Sequence, residues 1–126
     1  MGGRGASSGM SYDKLENSKP RLLNYKKAII EKPKLKNYLL NPNKSKGKEA
    51  FFNSLGYNMK NSDKMIVDIK SELSNNKARK TRQNEYGAFY AVDVNIGIDR
   101  KAKVTTIWNV NKNTKIPKFV TAYPKR

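Results

Sequence analysis

The apolar residues change their spacing once along the chain, and that change constrains the fold more than any other feature. In EYGAFYAVDVNIGI, beginning at Glu85, alternate positions separate cleanly. Tyr86, Ala88, Tyr90, Val92, Val94, Ile96 and Ile98 fall on one side, and Gly87, Phe89, Ala91, Asp93, Asn95 and Gly97 on the other. A period of two marks a strand with one buried face. IDRKAK then supplies a turn, and AKVTTIWNV alternates again, with Val104, Thr106, Trp108 and Val110 set against Thr105, Ile107 and Asn109. NKNTK turns the chain a second time, and Pro117 to Tyr123 makes a last strand. Asn84-Glu85 joins the long strand to an earlier one over Lys77 to Gln83.

Upstream the period is helical. Arg21 to Ile30 is apolar enough for a short strand or a helical turn. Pro33 suits the first position of a helix, where its missing N–H costs nothing. Leu35, Tyr38 and Leu39 follow at helical spacing, and the element stops at Asn41-Pro42. A second helix is expected from Gly47, with Ala50, Phe51 and Leu55 on one face and Gly56 as the residue that ends it. Ser62 is expected to cap a third helix, with Asp63 near its positive end. Met65, Ile66, Ile69 and Leu73 form the apolar stripe of that helix. Helices first and an antiparallel meander after them predict an α+β fold, with N-terminal helices packed on a three- to four-stranded antiparallel sheet. The expected organisation is a Gly/Ser-rich disordered tail over 1–20, carrying Arg4, and a single domain over 21–126. The tail has too few apolar side chains to offset the entropy of ordering it.

Charge narrows the function. The 126 residues contain 27 Lys and Arg against 10 Asp and Glu, a net charge of +17. Self-repulsion on that scale opposes compaction and fits a polyanionic partner, DNA or RNA. There is no histidine and no cysteine. The usual general base at neutral pH, thiolate metal ligands and a cysteine nucleophile are therefore excluded. The acids are dispersed. Asp93 and Asp99 in DVNIGID come closest to a pair, with Asp93 expected on a solvated sheet face and Asp99 at a turn. Neither a metal site nor another cofactor is expected, because such a site needs converging ligands. GGRGASSG lacks the ending of a phosphate loop, and Ala6 breaks the myristoylation pattern. No apolar run is long enough for a transmembrane helix, so no membrane partner is expected.

Two sets of residues carry candidate chemistry. From Lys14 to Lys48 there are eleven bases and two acids, and KARKTR adds four bases within Lys77 to Arg82. Lys44, Lys77, Arg79, Lys80, Arg100, Lys101 and Lys103 are candidates for phosphate contacts, and Phe89, on the less apolar face of its strand, for stacking on a base. At the end of the chain, in PKFVTAYPKR, Thr121 and Tyr123 lie two apart and share a sheet face. Their hydroxyls can orient a phosphate or polarise a 2′-hydroxyl, with Lys46, Lys48 or Arg82 stabilising the charge that develops. Ordinary sheet packing is the default account of Thr and Tyr at these positions, because both favour strands.

The blocks KKAIIEKPKLKNYLLNPNKSKGKEAFFNSLGY, YGAFYAVDV, VTTIWNV and PKFVTAYP resemble a small bacterial and prophage domain family of unknown function, over about Asn24 to Pro124. Its layout is similar to the barnase/EndoU/colicin/RelE-like ribonuclease-toxin fold. The resemblance implies that Thr121 and Tyr123, matching the Ser/Thr and Tyr of the last strand, line an active site. Related members often carry a histidine in the loop after the YLLNP block; here that loop reads NPNKSKG, with Lys44 near the place. RelE-like relatives work with Lys and Arg instead. The opening GGRGASSG resembles the N-termini of small proteins encoded beside portal and minor-head genes in tailed phages of Gram-positive bacteria.

Together these resemblances imply, first, a phage minor capsid or ejection protein that binds nucleic acid through its basic surface. It would act in the virion interior beside portal or capsid, and then in the host cytoplasm. The alternatives are an active metal-independent ribonuclease toxin of the bacterial cytoplasm, and an anti-defence inhibitor that binds a host protein. A homo-oligomer is compatible with all three.

Overall fold

The computed structural model describes residues 21–41, 43 and 47–125. The expected tail over 1–20, together with Lys44 and Lys46, lies outside the described residues.

The four strands form one antiparallel sheet in the order β1-β2-β3-β4: β1 (Ala78–Asn84), β2 (Gly87–Ile96), β3 (Ala102–Asn111) and β4 (Pro117–Pro124). The expected meander is present, with four strands. Register explains the alternation. Tyr90 pairs with Trp108, Val92 with Thr106 and Val94 with Val104. Trp108 pairs in turn with Phe119, and Thr106 with Ala122. These residues line the helix-covered face, where Val92, Val94, Val104, Trp108 and Ala122 are fully buried.

Two bulges adjust the alternation. In β1 the register runs Lys80 to Tyr90 and then Arg82 to Phe89, leaving Thr81 as the extra residue. In β4 it runs Ile107 to Thr121 and then Trp108 to Phe119, leaving Val120. A bulge turns the following side chains to the opposite face from the one simple alternation assigns. Arg79 and Arg82 thereby share the open face, although they lie three apart.

Helix α1 (Lys32–Lys34) starts with Pro33 in its first turn and runs on through a π-helical turn, Leu35–Leu39, that buries Leu35 and Leu39. Before it, a 3₁₀ turn at Tyr25–Lys27 leads to Ile29, which bridges Lys118 in parallel fashion and covers the start of the β4 edge. Helix α2 (Lys48–Ser54) ends at Gly56, whose φ of +102° suits glycine. Its buried face differs from the expected one: Phe52 and Leu55 are fully buried, Phe51 packs edge-on against Phe52, and Ala50 is exposed.

Helix α3 (Ser62–Glu72) buries Met65, Ile69 and Leu73 as its stripe predicts. Ser62 does not cap it. The turn Met59–Asn61 comes first, capped by Asn58, whose side chain accepts from the Lys60 and Asn61 backbone, and Ser62 sits buried inside the helix. The strand alternation also ends earlier than the sequence pattern. Tyr86 lies in the β1–β2 turn and Ile98 in the β2–β3 turn, and both are exposed.

The β2–β3 turn depends on Gly97. A Cβ there would stand 1.7 Å from the Arg100 carbonyl oxygen, at a φ of +154°. The same turn anchors α2: the Leu55 carbonyl accepts from the Ile98 and Asp99 backbone at 2.7 and 3.0 Å, and Arg100 donates to Ser54 Oγ at 2.8 Å. With its C-terminal end fixed there, α2 directs Lys48 at its other end toward β4. Among the described residues, no helix is long and apolar enough to cross a membrane.

Candidate functional site

Helices cover one face of the sheet. On the other face, three successive rungs of side chains concern the site. The first holds Asp93, Thr105 and Tyr123 on β2, β3 and β4. The second holds Arg79, Ala91, Ile107 and Thr121, and the third Arg82, Phe89, Asn109 and Lys118. Neighbouring rungs lie about 7 Å apart, two residues along a strand.

An open cleft of about 440 Å³ lies over the first two rungs, lined by Lys48, Arg79, Thr105, Tyr123 and Lys125. That volume is in the range of small-molecule sites. Lys48 Nζ reaches from α2 to donate to Thr121 Oγ1 at 3.3 Å. Asp93 organises the floor. One of its oxygens accepts from the Thr105 hydroxyl at 2.7 Å, and the other lies 3.1 Å from Arg79 and 3.3 Å from Lys125 Nζ.

Burial alone would raise the Asp93 carboxyl. The Thr105 hydroxyl, the Arg79 guanidinium and the Lys125 ammonium outweigh it and hold the carboxyl below the usual carboxylate range. Asp93 therefore stays ionised at neutral pH and makes a poor proton acceptor. It serves as a tether for two cations. Three cations against one carboxylate leave the cleft positive, with Tyr123 and Thr121 hydroxyls at its side.

The structure brings together Lys48, Thr121 and Tyr123 from the expected catalytic set, and adds Arg79 from the expected phosphate-contact set. Lys46 and Lys44 lie outside the described residues. Arg82 does not join the cleft: it stands one rung further along, its guanidinium carbon 4.3 Å from the centre of the Phe89 ring. Lys77 is exposed just before β1. Lys80 pairs with Tyr90 on the opposite face and bonds Gln83. Arg100 and Lys101 are in the β2–β3 turn, and Lys103, at the start of β3, pairs with Asn95 on the open face, one rung before Asp93 and Thr105 and outside the lining of the cleft.

Sequence reasoning missed Asp93, Thr105 and Lys125. Asp93 was expected on a solvated face. Its side chain is only 22% exposed, because both neighbouring cations fold over it. Among the described residues no group of three or more metal-ligating side chains gathers, and the one carboxylate of the cleft is already engaged.

A family described as a domain of unknown function (DUF6883) matches residues 21–126. The chain belongs to that family. No curated protein and no solved structure matches it. The DUF6883 match takes in α2, which carries Lys48, and all four strands, so Lys48, Arg79, Asp93, Thr105, Tyr123 and Lys125 all fall within the family domain.

Proposed function

We propose that this protein is a metal-independent ribonuclease whose cleft binds one phosphodiester of single-stranded RNA. The observation that carries the reading is the convergence of Lys48, Arg79 and Lys125 on one cleft that Tyr123 also lines, with Lys48 bonded to the Thr121 hydroxyl. Cations held in a cleft stabilise the extra negative charge of a five-coordinate phosphorus, and donors fixed in advance need no reorganisation at the moment of reaction. In this reading the 2′-oxygen attacks phosphorus and gives its proton to water. The bond from phosphorus to the 5′-oxygen breaks, and the Tyr123 hydroxyl protonates the departing oxygen. The products are a 2′,3′-cyclic phosphate and a 5′-hydroxyl end. Asp93 is a positioning residue that aims Arg79 and Lys125.

The test is incubation with single-stranded RNA in EDTA. Cyclic-phosphate ends are expected, and Tyr123→Phe should slow their formation about 100-fold, the scale of a lost general acid. RNA that stays intact with the wild-type protein overturns the reading.

A second reading draws on the bases outside the cleft. Lys80 on the opposite face and Arg100 and Lys101 in the β2–β3 turn suit non-cleaving contact with a polyanion, as for a carrier packaged with nucleic acid in a phage particle. Intact RNA together with binding that weakens steeply with salt supports it. Binding that is flat from low to high salt points instead to a protein target. Absence of the chain from purified particles would remove the virion role.

A further inference from the structure

The third rung of the open face lies outside the cleft, and its chemistry differs. Phe89 on β2 is half-buried, with its ring on the open face, and the exposed Arg82 places its guanidinium carbon over it, 4.3 Å from the ring centre. That arrangement requires the β1 bulge. Without the extra Thr81, Arg82 would share the face of Lys80, away from Phe89. The Thr81 hydroxyl holds the bulge to the partner strand by donating to the Phe89 carbonyl at 3.2 Å. No acid is placed against Arg82 on this rung: its other members are Asn109 and Lys118. A planar cation resting on an aromatic ring, with its outer face open, is a stacking platform for a nucleobase. It stands one rung, about 7 Å, from the rung of Arg79 and Thr121.

We propose that Arg82 and Phe89 form a base-stacking subsite for single-stranded nucleic acid, which holds the base next to the phosphate bound in the cleft. The proposal rests on the cleft reading and adds to it the place where a base of the single strand is held. A duplex cannot place a base there, because its bases are already stacked on one another. The subsite is also tolerant of sequence, since every base has a π-face.

The experiment separates the two ideas. Short oligonucleotides are titrated against the protein in two forms: one intact, and one with abasic sites that keep the sugar-phosphate backbone. The stacking subsite predicts roughly tenfold tighter binding of the intact form. That advantage should vanish in Phe89→Ala and Arg82→Ala and persist in Phe89→Tyr, which keeps an aromatic ring at a half-buried position. In Phe89→Trp the new indole fluorescence should be quenched by the intact oligonucleotide and not by the abasic one, whereas Trp108 is fully buried and contributes a constant background.

Equal binding of the two forms to the wild-type protein, with affinity still dependent on Lys48 and Arg79, overturns the subsite and leaves the cleft standing. Binding of neither form overturns the cleft and the subsite with it. Equal affinity for duplex and single strand also overturns the subsite.

Discussion

The same strands build two surfaces that share almost nothing chemically. On the helix-covered face Trp108 is fully buried, sits edge-on to Phe119 with ring centres 5.6 Å apart, and donates through Nε1 to Thr106 Oγ1 at 2.8 Å. Thr106 passes the bond on to the Val92 carbonyl at 2.7 Å, so the Trp108 and Thr106 donors are both satisfied internally. On the open face, one residue away along each strand, Asp93, Thr105 and Tyr123 face a cleft edged by cations. Alternation therefore assigns stability to one set of side chains and charge to the other. If that division is real, mutations on the two faces should separate cleanly in what they damage.

The largest effect belongs to the covered face. Trp108→Ala removes the largest buried side chain and leaves Thr106 without its donor. It should lower unfolding free energy by about 4 kcal/mol in urea titrations. A loss below about 1 kcal/mol would mean that the helices do not pack on this face as described. Next comes the turn that keeps β2 and β3 in register. Gly97→Ala drives a methyl group into the Arg100 carbonyl and should cost about 2–3 kcal/mol in strain, with no effect on the chemistry of the cleft beyond the loss of folded protein.

The open face contributes less stability, and its contribution depends on pH. Asp93→Ala removes a charge-assisted hydrogen bond from Thr105 and the tether of two cations, a loss of about 2 kcal/mol at pH 7. The folded-state carboxyl titrates below its ordinary value of about 3.9, so its contribution is full above that value and disappears as pH falls through the lower one. Wild type and Asp93→Asn should therefore differ at pH 7 and converge in urea titrations as the pH falls through the lowered carboxyl value. A difference that persisted in acid would show that Asp93 acts by packing.

The two faces were not equally legible in the sequence. The covered face announced itself, because burial repeats: Val92, Val94, Val104 and Trp108 mark a period of two that needs no partner to be seen. Its misreadings came at edges. The alternation was carried into Tyr86 and Ile98, where turns had already released the chain, and on the short α2 the apolar pairs Phe51/Leu55 and Phe52/Leu55 both satisfy helical spacing. The open face is a product of register. Asp93 draws Arg79 from fourteen positions earlier and Thr105 from twelve later. In a chain of +17, one acid among many bases reads as solvated. A signal did exist for two of them: once the β2–β3 turn is fixed, Asp93 and Thr105 fall opposite each other by counting, whereas Tyr123 joins their rung only through the β4 bulge at Val120. The β1 bulge that turns Arg82 over Phe89 left no comparable mark, since Thr81 is an ordinary strand residue.

The smallest effect is the sharpest test of the division. Tyr123→Phe keeps the ring against the sheet and removes one oxygen from a half-exposed position. Lys48→Ala removes a single 3.3 Å hydrogen bond to Thr121 at a partly open site. Each should change unfolding free energy by no more than about 0.5 kcal/mol, because exposed polar contacts exchange readily with water. Each should nonetheless weaken RNA turnover, since charge and a donor are lost where negative charge develops on phosphorus. Comparable losses of stability and turnover in either variant would mean that the cleft is part of the structural core, and that the open face carries no separate chemistry.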